Sequence, residues 1–165
     1  MLVWLFALAL QASTSSPPPA LPAAPVPATF ISAAKIEAVL EAQIAKGVVD
    51  QPITSSEVHG GLVSVAWLHR AKAEAGGLTH NAATETYYIV KGSGTLVTGG
   101  TLADAKPIDL TRFNAGLGTQ GRRQGGESRR VAPGDIIIIP AGTPHGFSEL
   151  DGPISYLVFR FDAKP

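Results

Sequence analysis

The chain has 165 residues, and 13 lysines and arginines against 13 aspartates and glutamates give it zero formal charge at neutral pH. With 45 % hydrophobic and 16 % charged residues it has the composition of a globular domain, not of a disordered or collagen-like chain. Neutrality removes any overall electrostatic pull towards nucleic acid or anionic lipid, and the lack of cysteine removes disulfides, cysteine zinc sites, iron–sulfur clusters and thiol nucleophiles.

Residues Leu2 to Leu10 are all apolar. That run is too short for a membrane-spanning helix, which needs about 20 residues. It has the length of the apolar core of a secretory signal, and the small residues Ala12 and Ser13 follow it, although no lysine or arginine precedes it. Residues 1–12 are therefore expected to act as a signal-peptide-like segment, which implies a secreted or periplasmic protein with no stable membrane span. Ser13 to Thr29 holds six of the 13 prolines and no glycine. Such a stretch can neither continue a helix nor pair in a sheet, so residues 13–29 read as an extended linker. The folded domain is expected over residues 30–165.

Ile31 to Lys46 reads as a helix, with Ser32 to cap it and Gly47 to end it. Ile36, Val39, Leu40 and Ile44 give that helix an apolar stripe to pack. All 18 glycines lie from Gly47 onward. There β-branched clusters alternate with turn signals, and Leu62–His69, Thr86–Val90, Thr95–Thr98, Ile136–Ile139 and Ile154–Phe161 read as strands. Lys91-Gly92-Ser93-Gly94 and Gly99-Gly100 read as turns between strands. Thr101 to Ser128 is more polar, with an apolar island near Leu110 and Phe113, and reads as an extended connection with room for one hairpin. Arg122, Arg123, Arg129 and Arg130 lie between glycines there and read as a solvated loop. Many short strands with glycine-rich turns predict an all-β sandwich or barrel.

The chain has four histidines, His59, His69, His80 and His145. His80 and Glu85 are five residues apart and would face opposite sides of one unbroken strand. Asn81-Ala82-Ala83 is poor strand sequence, and a bend there can turn both side chains into one cavity. His145 follows a turn built from Pro140, Gly142 and Pro144. Two imidazoles and one carboxylate form a metal-ligand set that leaves coordination positions open. Tyr87 and Ile89 share the face of Glu85, and Phe147 and Glu149 share that of His145 if the chain is extended there. Tyr87 could orient a substrate or donate a proton, or serve as a core aromatic. Arg160 sits in the apolar run Tyr156–Phe161, so it must be paired or face the cavity, either to bind a substrate carboxylate or to pair with Asp162 or Glu149. His69 shares the parity of Val63, Val65 and Trp67, which fits a packed histidine as well as a ligand. His59 precedes Gly60-Gly61 and reads as an exposed loop residue. No phosphate loop follows Gly92-Ser93-Gly94, and there is no Gly-x-Ser-x-Gly nucleophile elbow.

Between about Leu62 and Phe161 the chain resembles the cupin superfamily. Gly134, Pro140, Gly142 and His145 match that family's second motif, Gly-x5-Pro-x-Gly-x2-His, at every spacing, and His80, Glu85 and Gly92 match the latter part of its first. The first motif's other histidine would fall at position 78, where this chain has Leu78. The resemblance implies a double-stranded β-helix, or jelly-roll barrel, preceded here by one α-helix. It implies a divalent transition metal (iron, manganese, zinc, nickel or copper) on His80, Glu85 and His145. With Leu78 in place of histidine, three protein ligands could hold the ion, His69 or another group could supply a fourth, or the metal could have been lost. The implied function is a metal-dependent enzyme acting on a small oxygen-bearing substrate, dioxygenase-like oxidoreductase chemistry first and isomerase or lyase chemistry also open, with Tyr87 and Arg160 as the candidate catalytic side chains. The alternatives are a non-catalytic cupin that binds a small ligand or metal, and a structural β-domain with a dry interior. Expected partners are a small molecule and, through the helix or the strand after Val48, a second copy in a homodimer.

Overall fold

The computed structural model describes residues 27–163, residue 59 excepted. The signal-like segment, most of the proline-rich linker and His59 lie outside the described residues. One helix, α1 (Ala33–Lys46), precedes eleven strands. Ser32 caps it by accepting a bond from the Lys35 amide, and Gly47, in the left-handed conformation at φ 63°, ends it. Gln43 is fully buried and donates to the carbonyl oxygens of Val49 (2.6 Å) and Trp67 (3.1 Å), which anchors the helix to the sheet beneath it.

The strands are β1 (Asp50–Val58), β2 (Gly61–Arg70), β3 (Gly77–His80), β4 (Ala83–Lys91), β5 (Gly94–Thr98), β6 (Thr101–Asp109), β7 (Leu117–Gln124), β8 (Glu127–Val131), β9 (Ile136–Ile139), β10 (His145–Leu150) and β11 (Ile154–Ala163). They form two antiparallel sheets, one of order β1-β2-β11-β4-β9 and one of order β6-β7-β3-β10-β5-β8. The chain crosses between the sheets at β2–β3, β3–β4, β4–β5, β8–β9, β9–β10 and β10–β11, which is the jelly-roll winding expected of a cupin barrel. Both glycine turns fall where the sequence places them, between β4 and β5 and between β5 and β6.

The two faces of the first sheet have separate tasks. Residues of one parity, including Ala66, Leu68, Tyr87, Ile89, Tyr156 and Val158, meet Leu96, Val131 and Phe147 inside the barrel. Residues of the other parity, Val65, Trp67 and Leu157, meet Ile36, Val39 and Leu40 of α1 on the outside. Three members of the predicted apolar stripe are thus spent on the outer face, while the fourth, Ile44, stays 55 % exposed.

The stretch from Thr101 to Ser128 is more regular than its sequence suggests. β6 and β7 form a hairpin around a 3-10 turn at Thr111–Phe113, and β8 pairs with β5. Arg122 and Arg123 lie on β7, and Arg129 and Arg130 on β8, so they are strand residues and not a loop. β6 and β8 are the edges of their sheet and expose most of their side chains, which removes the hydrophobic alternation by which strands are read. Three of the arginines form surface ion pairs, Arg122 with Asp104, Arg129 with Glu127 and Arg130 with Asp151.

Gly92 has φ 79°, and a Cβ there would lie 2.9 Å from Ile154 Cα and 3.1 Å from the Pro153 carbonyl carbon. Gly99 has the same φ with open space around it. Gly92→Ala is therefore expected to cost about 2 kcal/mol or more, and Gly99→Ala about 1 kcal/mol, as read from urea unfolding midpoints.

Candidate metal centre

The bend expected after His80 is present. β3 ends at His80, and the chain turns through Asn81-Ala82 and enters the opposite sheet at Ala83. His80 and Glu85 consequently project from facing sheets into one interior. His145 opens β10 beside β3, opposite Leu78, and completes the group. All three side chains are buried, and one ligand atom from each lies within 4.8 Å of the others.

The hydrogen bonds assign the imidazole nitrogens. His80 Nδ1 lies 3.0 Å from the carbonyl oxygen of Ala115, and His145 Nδ1 lies 2.9 Å from that of Thr143. A carbonyl can only accept, so each Nδ1 carries a proton. Each Nε2 then points its lone pair inward, at 3.3 Å from Glu85 Oε1 for His80 and 3.2 Å from Glu85 Oε2 for His145. Two acceptor-to-acceptor approaches in one buried cluster require positive charge between them, either a proton on each ring or one shared cation. Adjacent donors on an ion with bonds of about 2.1 Å lie roughly 3.0–3.4 Å apart, so the spacing suits a single ion. The residues present fit a divalent metal.

Glu85 is also held from outside. Arg160 Nε donates to its Oε1 at 2.7 Å, and the Tyr87 hydroxyl donates to its Oε2 at 2.9 Å. Burial alone would raise the Glu85 carboxyl, but bonding from His145 and His80 and the charge of Arg160 outweigh it and hold the group well below its usual value. Burial pushes the Tyr87 hydroxyl well above its usual value, and the neighbouring Glu85 charge adds to that. Tyr87 therefore keeps its proton, and its ring meets His145 edge-on at 6.2 Å.

Arg160 pairs with neither Asp162 nor Glu149. It lies directly opposite Glu85 in the β11–β4 ladder and reaches Asp50 Oδ2 at 2.5 Å and the Phe113 carbonyl oxygen at 2.8 Å. Burial works against its charge, but Glu85 and Asp50 more than restore it. Asp50 itself is raised, because burial outweighs the pull of Arg160. Glu149 leaves the His145 face because the β10–β5 register shifts between Phe147 and Glu149, and its carboxylate bonds Thr95 at the surface. His69 lies on the outer face of β2, with Nδ1 2.8 Å from Ser155 Oγ, so it is a packed histidine and cannot supply a fourth ligand.

The cluster forms the polar floor of a cavity of about 400 Å³. Leu68, Leu78, Leu110, Phe113, Val48 and Val49 make apolar walls, so position 78 does face the cavity, with an isobutyl group where the first motif's other histidine would be. Arg70 also lines the cavity, tied to the Tyr156 hydroxyl at 2.8 Å and to Glu74 at 3.0 Å. Arg112, at the mouth, stacks on Phe113 at 4.4 Å and has no acidic partner among the described residues. Sequence reasoning missed the turn at residues 110–115, whose backbone carbonyls hold both His80 and Arg160. A backbone acceptor leaves no residue-type signal, and the apolar island at Leu110 and Phe113 was the only trace of it.

No protein-family model matches the chain, and no curated protein matches it. Solved structures of similar fold include the DMSP lyase DddQ from Ruegeria pomeroyi, at 19 % identity over 64 % of this chain and 40 % of that one, with a TM-score of 0.42. They also include a cupin superfamily protein from Desulfitobacterium hafniense, at 15 % identity over 69 % of this chain and 76 % of that one, with a TM-score of 0.42. A third is the Streptomyces nucleoside dehydratase Pac13, at 15 % identity over 68 % of this chain and 78 % of that one, with a TM-score of 0.39. The chain spans less than half the length of the Ruegeria lyase.

Removing Arg160 would leave Glu85 and Asp50 buried and uncompensated. Arg160→Met is expected to cost about 3–5 kcal/mol in denaturant unfolding, and adding Asp50→Asn to recover part of the loss.

Proposed function

We propose that this cupin-fold domain is a metal-dependent enzyme whose cavity takes a small, oxygen-bearing, anionic molecule. The observation that carries the reading is the convergence of two imidazole lone pairs and one carboxylate on the floor of a cavity of about 400 Å³. His80, Glu85 and His145 would hold the ion, with iron, manganese, zinc, nickel and copper all compatible with this donor set. When bound, the metal supplies Lewis acidity or, if redox-active, a centre for oxygen chemistry.

The protein's own groups have distinct tasks in this reading. Ala115 and Thr143 fix the two imidazoles in the tautomer that presents Nε2. Arg160 and Tyr87 keep the Glu85 carboxylate ionised and oriented, so both act as positioning residues. The leucine and valine walls exclude water around a substrate's carbon skeleton, and Arg112 at the mouth can take a carboxylate or similar anionic end. Oxidoreductase chemistry remains the first expectation from the two-histidine, one-carboxylate set, with lyase and isomerase chemistry the nearest alternatives.

One observation favours a second reading, a non-catalytic cupin that binds a small ligand or metal. Glu85, Tyr87, Arg160, Asp50 and Arg70 are all engaged with one another or with their neighbours, which leaves no cavity-lining carboxylate outside the ligand set free to act as a base among the described residues. Turnover of a panel of small hydroxy and keto acids by the metal-loaded chain separates the two readings. The apolar run Leu2–Leu10 supports export of the chain, with a signal-like segment over residues 1–12, a linker over 13–29 and the domain over 30–165.

His80→Ala and His145→Ala are expected to weaken metal binding more than about 100-fold without unfolding the barrel, and Glu85→Gln to weaken it less. Leu78→His should strengthen it by adding a donor. Competition against a chromogenic chelator measures all four. Arg112→Gln should leave metal affinity unchanged and raise the KM or Kd for acids about tenfold, with little effect on their amides.

A further inference from the structure

We infer that the cleft between α1 and the outer face of the first sheet is a second small-molecule site, built for a short amphipathic carboxylate. α1 closes on the sheet through Ile36, Val39 and Leu40, but one turn further on Ile44 stays 55 % exposed. There a cavity of about 380 Å³ lies between helix and sheet. Among the described residues it shares no lining side chain with the metal cavity inside the barrel. Leu40 and Ile44 of the helix, Trp67 of β2, Val90 of β4 and Pro153 give it apolar walls.

Its polar groups are gathered in one row across three strands. Ser155 of β11 lies opposite His69 of β2 on one side and Lys91 of β4 on the other, and all three line the cavity. Lys91 reaches this face because the β11–β4 register shifts there. Tyr156 pairs with Ile89 and Ser155 with Lys91, so Val90 is the extra residue of a bulge. In an unbroken strand Lys91 would share the interior face of Ile89, which is fully buried. The bulge turns it outward instead, so that Val90 and Lys91 both line the cleft.

The chemistry of this row suits a carboxylate. Lys91 has no acidic partner among the described residues, so its ammonium is left to a ligand. His69 Nδ1 lies 2.8 Å from Ser155 Oγ. If the ring donates across that bond, the serine proton is left over; if the hydroxyl donates, the His69 Nε2 proton is left over. Either tautomer therefore offers one neutral donor beside one cation, which matches the two oxygens and single charge of a carboxylate. The apolar walls hold one short aliphatic or aromatic body, since the cavity is at the lower end of ligand-pocket volumes.

The test is titration of the full chain with octanoate, read by the fluorescence of Trp67 in a Trp4→Phe background, because the chain has two tryptophans. The expected result is a saturable change, with binding about tenfold weaker in Lys91→Gln and about tenfold weaker for octanamide. Ile44→Glu, which sets a like charge at the exposed rim, should weaken it by at least as much with unchanged circular dichroism. Arg112→Gln and His145→Ala should leave it unchanged, which separates this site from the metal cavity and its own affinity for acids. No saturable signal up to about 10 mM octanoate overturns the inference. So does binding that survives both Lys91→Gln and Ile44→Glu, equal binding of octanamide, or loss of the signal in Arg112→Gln.

Discussion

Everything in the barrel interior is arranged around one buried carboxylate. Glu85 sits where an isolated charge would be prohibitively costly, and four side chains converge on its two oxygens. Arg160 supplies the permanent counter-charge and is itself balanced by Asp50. The pairing holds the ends of the fold together, because Asp50 begins β1, Glu85 lies on β4 and Arg160 lies on the last strand. Removing Arg160 leaves both carboxylates without their permanent counter-charge. The site and the stability of the first sheet therefore rest on the same group.

The second sheet supplies the imidazoles, and the turn between β6 and β7 aligns that of His80 while the Thr143 carbonyl aligns that of His145. Through Phe113 and Ala115, two backbone carbonyls of that turn reach Arg160 and His80. Asp109 stiffens it by accepting from the Thr111 amide and hydroxyl. The same turn places Arg112 and Phe113 at the mouth of the cavity. Its position couples access to the cavity with the orientation of the donors at the floor. The outer face of the first sheet has no part in this chemistry; half of it is spent on α1 and half is left apolar.

How much of this could be read from the sequence depended on where each signal was carried. His80, Glu85 and His145 were legible because ligand chemistry and turn glycines recur at fixed spacings. The bend after His80 was legible because Asn81-Ala82-Ala83 makes poor strand. Strands with buried, β-branched residues were legible too, whereas the exposed β6 and β8 lacked the alternation that identifies a strand. Glu149 was misplaced because parity counting assumes an unbroken strand, and a register shift at that point reverses which face follows. The partnership of Arg160 with Asp50 spans 110 residues, and no local pattern encodes it. The site was thus readable in its side chains and unreadable in its backbone contacts and long-range ion pairs.

The central claim is that Glu85 and the two imidazoles hold one divalent ion. Elemental analysis of the full chain, purified without a metal-binding tag or added metal and then dialysed against a panel of divalent ions, tests it most directly. The account predicts about one equivalent of a transition metal per chain. A folded protein that holds no ion after reconstitution with the whole panel would contradict it, and the Glu85 cluster would then be a proton-bridged ion-pair network inside a ligand-binding barrel.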